Sequence, residues 1–96
     1  MDIQLLEKAI SHFGCQRQIT KAIEEMGELT VDLARYLNGK GMMVNLLGEI
    51  ADASIMIEQL KLIFGKELVD SHIALKLQRL RLMMDVPDPQ EGDNLR

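Results

Sequence analysis

The sequence predicts an all-α fold: an antiparallel four-helix bundle-like subunit, with one short and three longer helices, that works as an oligomer. Three observations carry this expectation. Apolar residues make up 47% of the 96-residue chain and are mostly Leu, Ile, Met and Ala, with only three aromatics, a palette that favours helices over strands. No stretch shows the period-two alternation of a half-buried strand. The breaking signals lie far apart, at Gly14, at Asn38 to Gly41 and at Gly65.

The elements follow in order. Residues 3 to 13 read as a short first helix ended by Gly14. A longer second helix is expected from about Gln16 to Tyr36. "NGKG" (Asn38 to Gly41) is a turn signal with two glycines, and it lacks the GxxxxGK[ST] pattern of a phosphate-binding loop. A third helix spans about Met43 to Phe64, with Gly65 fitting a C-cap. The fourth runs from Lys66 or Glu67 to Met84. Residues 1–85 thus form the helical domain, and residues 86–96, with two prolines, charge and little to bury, read as a loose C-terminal tail. Short connections between long helices imply antiparallel neighbours.

Length and composition narrow the function classes. A domain this small leaves much apolar surface uncovered, and association is the usual remedy in the absence of disulfides or a structural zinc. The single cysteine, Cys15, excludes an intramolecular disulfide and a Cys-based zinc cluster, and is compatible with a reducing cytoplasm. The N-terminal residues lack the basic-then-apolar pattern of a signal peptide, and no apolar run reaches about 18 residues, so a cytoplasmic chain without a membrane span is expected. A net charge of −4 and a pI near 5.1 argue against a nucleic-acid backbone as partner.

The third helix poses the functional question. "LLGEIADASIMIEQL" (residues 46–60) carries Glu49 and Asp52 one turn apart on one face, with Glu58 and Lys61 about 180° away as an ordinary i,i+3 pair. If the Glu58 side faces water, the two acids point inward. Buried unpaired charges cost several kcal/mol per ion, so either a cation meets them or the helix has solvent on both sides.

The second helix offers a matching set. Glu25 and Glu28 stand at i,i+3 within a polar stripe of Lys21, Glu25, Glu28, Asp32 and Arg35. Ile19, Ile23, Met26, Leu33 and Leu37 form an apolar stripe. Taken alone, the polar stripe reads as a solvated face with internal Lys–Glu and Asp–Arg support. Two antiparallel helices, each presenting two carboxylates one turn apart, can instead converge on one metal site. Oxygen ligands with no Cys or His nearby suit Mg²⁺ or Mn²⁺. His12 and His72 are not in an ExxH arrangement, which counts against a ferritin-like di-iron centre.

"EEMGE" (Glu24 to Glu28) followed by "EIAD" (Glu49 to Asp52) resembles the EExxE…ExxD signature of the MazG-like all-α nucleoside triphosphate pyrophosphohydrolases. "KLQRL" (Lys76 to Leu80) resembles that family's basic motif in the fourth helix, and the likeness covers roughly residues 16–82. Gly48 departs from it, standing where many relatives carry another acid. The resemblance implies cleavage of a (d)NTP between the α and β phosphates to (d)NMP and pyrophosphate, in nucleotide-pool housekeeping. It implies Mg²⁺, or Mn²⁺, held by Glu25, Glu28, Glu49 and Asp52 in a homodimer or homotetramer. Glu24 or Glu28 would serve as the base. Lys21, Lys76 and Arg79 would meet the substrate as cations. The alternative is a non-catalytic helical oligomer that binds nucleotide or a protein partner.

Overall fold

The computed structural model describes residues 1–87. Among them the chain is all-helical: α1 Ile3–Phe13, α2 Cys15–Leu37, α3 Met43–Phe64 and α4 Lys66–Met83, with no strand. Local chemistry sets these bounds. The Asp2 carboxylate caps α1, accepting from the Leu5 N–H at 3.1 Å. Gly14 alone separates α1 from α2, at φ 91° and ψ 149°, a conformation left to residues without a Cβ. Its N–H closes α1 on the Ile10 carbonyl and its own carbonyl accepts from the Gln18 N–H of α2. The turn after α2 uses Gly39 and Gly41, both at positive φ. Of the expected tail only Val86 and Pro87 fall within the described residues; the remainder lies outside them.

The chain divides into two compact units, residues 1–64 and residues 65 onward. In the first, α2 and α3 pack in opposite senses along most of their length, and α1 packs on both. Gln18 meets Gln59 at one end, Glu25 meets Glu49 and Asp52 in the middle, and Arg35 and Leu46 share a cavity wall at the hairpin end. Ala22, 1% exposed, and Ala53 are small enough to let the two helices approach closely. Leu6, Leu46 and Met56 complete the buried apolar core, and no large side chain in the described residues is fully buried. In the second unit, α4 carries a Lys66–Asp70 pair at 3.8 Å and has no buried residue.

The packing decides which side of α2 faces inward. The solvated-face reading of its polar stripe holds for Lys21, Glu28 and Arg35, which are exposed, but not for Glu25, which is buried along with Gln18 and Ala22. The apolar stripe is divided likewise, with Ile19 and Met26 half-buried and Ile23 68%, Leu33 44% and Leu37 83% exposed. On its side α3 buries Leu46, Ala53, Met56 and Gln59, and Gln59 and Glu49 meet Gln18 and Glu25 of α2. On α3 the Glu58–Lys61 pair forms at 3.8 Å, but its side chains are largely shielded rather than borne on an open solvent face. No helix among the described residues is long and apolar enough to cross a membrane.

Candidate metal centre

The antiparallel register of α2 and α3 brings one ligand atom each from Glu25, Glu49 and Asp52 within 4.8 Å of one another. The three differ in environment. Glu25 is buried, at 7% exposure, Glu49 is half-buried and Asp52 is exposed. The cluster is therefore anchored inside the helix pair and opens to solvent on its Asp52 side. This is an arrangement a hydrated small-molecule ligand can reach.

Two atoms in the cluster lack partners. Glu25 Oε2 and Glu49 Oε2 are buried without a hydrogen bond among the described residues. Buried carboxylate oxygens are normally satisfied, because an unpaired one forfeits its hydration without recompense. The other Glu25 oxygen is held by the Lys21 ammonium, Nζ to Oε1 at 3.0 Å. That contact raises the Lys21 pKa above 10.5, chiefly through the hydrogen bond and then the charge of Glu25, with burial opposing and Glu24 and Glu28 adding. The Lys–Glu half of the expected support within the stripe is thus present. The Asp–Arg half is not formed as an ion pair among the described residues, although Asp32 and Arg35 both line the cavity at the hairpin.

Glu49 reports the crowding of negative charge. Its pKa lies above the ordinary 4.5, first through burial, then through the charges of Glu28, Asp32 and Glu25, and last through a hydrogen bond shared with Glu28. Glu24, Glu28, Asp32 and Glu49 also line an open cavity alongside the cluster. Glu28 is thus a neighbour of Glu49 rather than one of the three clustered acids. Glu24 is exposed and stands on the rim, about 100° round the helix from Glu25.

A divalent ion suits these residues. The donor set is all oxygen and mixed in burial, and it carries a surplus of negative charge that only Lys21 offsets nearby. No thiolate or imidazole belongs to it. Lys76 and Arg79 lie on exposed positions of α4, in the second unit.

Sequence reasoning missed three participants. Asp32 appears in the sequence only as one more acid of the stripe, although its i,i+4 relation to Glu28 was the available signal. Gln18 and Gln59, which fix the register, carried none. Comparison with known protein families, curated proteins and solved structures returns no match for this chain.

Proposed function

We propose that this chain is a Mg²⁺-dependent nucleoside triphosphate pyrophosphohydrolase, as its resemblance to the MazG-like enzymes implies, with Mn²⁺ as an acceptable substitute. The observation that carries the reading is the buried Glu25 carboxylate, with Oε2 unpartnered beside Glu49 and Asp52. An acid placed there costs stability unless a cation completes it.

Glu25, Glu49 and Asp52 hold the ion, and Glu28 joins them through its contact with Glu49. Mg²⁺ held by these residues would offset the charge of the triphosphate and polarise its phosphoryl oxygens. Lys21 positions Glu25 by engaging one oxygen and leaving the other to the cluster. Glu24 and Glu28, on the wall of the adjoining cavity, are placed to accept a proton from the attacking water. The water oxygen bonds to phosphorus, the α–β bridging P–O bond breaks, and pyrophosphate leaves. Lys76 and Arg79 enter as phosphate contacts on the strength of the resemblance.

The proposal includes a cytoplasmic homodimer or homotetramer. Ile23, Leu33 and Leu37 on α2, with Met43, Val44 and Leu47 on α3, form exposed apolar surface that a second copy would cover.

The test is a panel of NTPs and dNTPs incubated with the protein and Mg²⁺, with products separated chromatographically. Monophosphate plus pyrophosphate is expected, abolished by EDTA and by Glu49→Gln. No turnover across the panel with Mg²⁺ or Mn²⁺ refutes the reading in favour of a non-catalytic binding protein.

A further inference from the structure

A smaller cavity, of about 180 Å³, sits at the α2–α3 hairpin, and Asp32, Arg35, Tyr36, Lys40 and Asn45 supply its polar lining. Its character is opposite to that of the acidic cavity. Arg35 and Lys40 form no ion pair among the described residues, yet both line this one cavity. A phenol and a carboxamide accompany them, so the lining combines two permanent cations with further hydrogen-bond donors.

The backbone holds these groups in place. The Lys40 N–H donates to the Arg35 carbonyl at 2.8 Å, folding the turn back on the end of α2. Gly41, at φ 80°, lies against the Arg35 side chain, whose Nε is 3.6 Å from the position a Cβ would take. The α3 helix begins at Met43 in the same wall, so its positive end adds to the field of the two cations. Only Asp32 opposes them, and Asp32 also lines the acidic cavity beside Glu28 and Glu49. Asp32 therefore lines both cavities. Along less than one turn of α2, from Asp32 to Arg35, the lining changes from anionic to cationic.

A polyphosphate held through a cation at the Glu25–Glu49–Asp52 end must place its remaining negative charge somewhere. The hairpin cavity carries cations on the same unit and shares Asp32 with the cavity that Glu49 lines. We infer that the hairpin cavity is the subsite for the outer phosphates, the part that departs as pyrophosphate, with Arg35 and Lys40 as its binding cations. This inference rests on the pyrophosphohydrolase reading and specifies the orientation of the substrate within it. The Arg35 guanidinium suits bidentate contact with a phosphate, and Lys40 contributes a point charge. Tyr36 and Asn45 add neutral donors.

Calorimetric titration of the full chain with inorganic pyrophosphate in Mg²⁺ tests it, on wild type, R35Q/K40Q and K76Q/R79Q. Wild-type binding is expected. R35Q/K40Q should weaken it by about tenfold or more, the loss of at least one charge-assisted contact. Mg²⁺ titrated alone should bind R35Q/K40Q as it binds wild type, because the acids are untouched. Arg35 and Lys40 are exposed, and unchanged far-UV circular dichroism is expected.

Three outcomes overturn the inference: no pyrophosphate binding by wild type, binding by R35Q/K40Q within about twofold of wild type, or binding lost in K76Q/R79Q and kept in R35Q/K40Q. Failure of the parent reading looks different. In that case the nucleotide panel gives no turnover, while pyrophosphate still binds wild type and is lost in R35Q/K40Q, leaving an anion site without hydrolysis.

Discussion

The contact that sets the α2–α3 register is a buried amide pair, Gln18 Nε2 donating to Gln59 Oε1 at 2.7 Å, with Gln59 Nε2 in turn 3.8 Å from Met56 Sδ. Glu25 lies seven residues after Gln18 and Asp52 seven before Gln59, so the same register sets the acids opposite one another. Gln18→Ala leaves a buried Gln59 acceptor without its donor. That loss costs about 1–3 kcal/mol, more than the net worth of the bond, because the orphaned group stays desolvated. In a chain of this size each kcal/mol lowers Tm by about 4–8 °C, so a fall of roughly 5–20 °C is expected. Gln18→Leu with Gln59→Leu removes both partners and should recover most of the loss. Thermal and urea unfolding of wild type, Gln18→Leu, Gln59→Leu and the double variant measures the coupling, with Gln18→Ala alongside, and Mn²⁺ titration of each follows the acids. Affinity should fall in Gln18→Ala and return in the double variant. Equal unfolding midpoints for wild type and Gln18→Ala would refute the argument, as would a double variant that loses the sum of the two single losses.

Three further predictions concern the acids and the exposed face. Mg²⁺ or Mn²⁺ at a hundred times its Kd should stabilise the chain by about 2.7 kcal/mol, seen as a rise in Tm. Glu49→Gln or Asp52→Asn should erase that rise while keeping helix content, and an undiminished rise in either variant removes the residue from the site. In EDTA the raised pKa of Glu49 makes the folded chain bind its proton more tightly than the unfolded chain does. Its contribution is fully present below the unfolded value, near the ordinary 4.5, and is lost as pH rises through the folded value. Urea midpoints should therefore decline over that window in wild type and decline less in Glu49→Gln; parallel curves would count against the shift. Ile23→Glu on the exposed face of α2 should lower the mass measured by sedimentation without loss of helix, and an unchanged mass excludes that face from the subunit contact.

Much of the fold was legible in the sequence because the chain is punctuated by glycines that do one job each. Gly14 and Gly65 end helices within a residue of the expected positions, and "NGKG" turns the chain between α2 and α3. The facing of α2 was harder to read. Hydrophobic periodicity separates a polar and an apolar face on α2 but does not show that the buried strip of Gln18, Ala22 and Glu25 runs between them. Glu25, Glu49 and Asp52 were found by spacing, since i,i+3 acids on two antiparallel helices must converge if those helices face each other. Arg35 and Lys40 were not found as a pair. They belong to different local contexts, a helix end and a turn, and only the folded hairpin lines one cavity with both.

The unpartnered oxygens of Glu25 and Glu49 also bear on how this chain responds to selection. Apolar residues of similar volume at such positions are often neutral or stabilising, whereas a buried carboxylate oxygen without a partner weakens a fold. A library screened only for heat resistance in EDTA should therefore accumulate Leu or Met at Glu25 and Glu49, and the survivors should no longer respond to divalent ions. Screening for endurance alone would then map the site, because the positions that most readily gain stability are those where activity has kept it low.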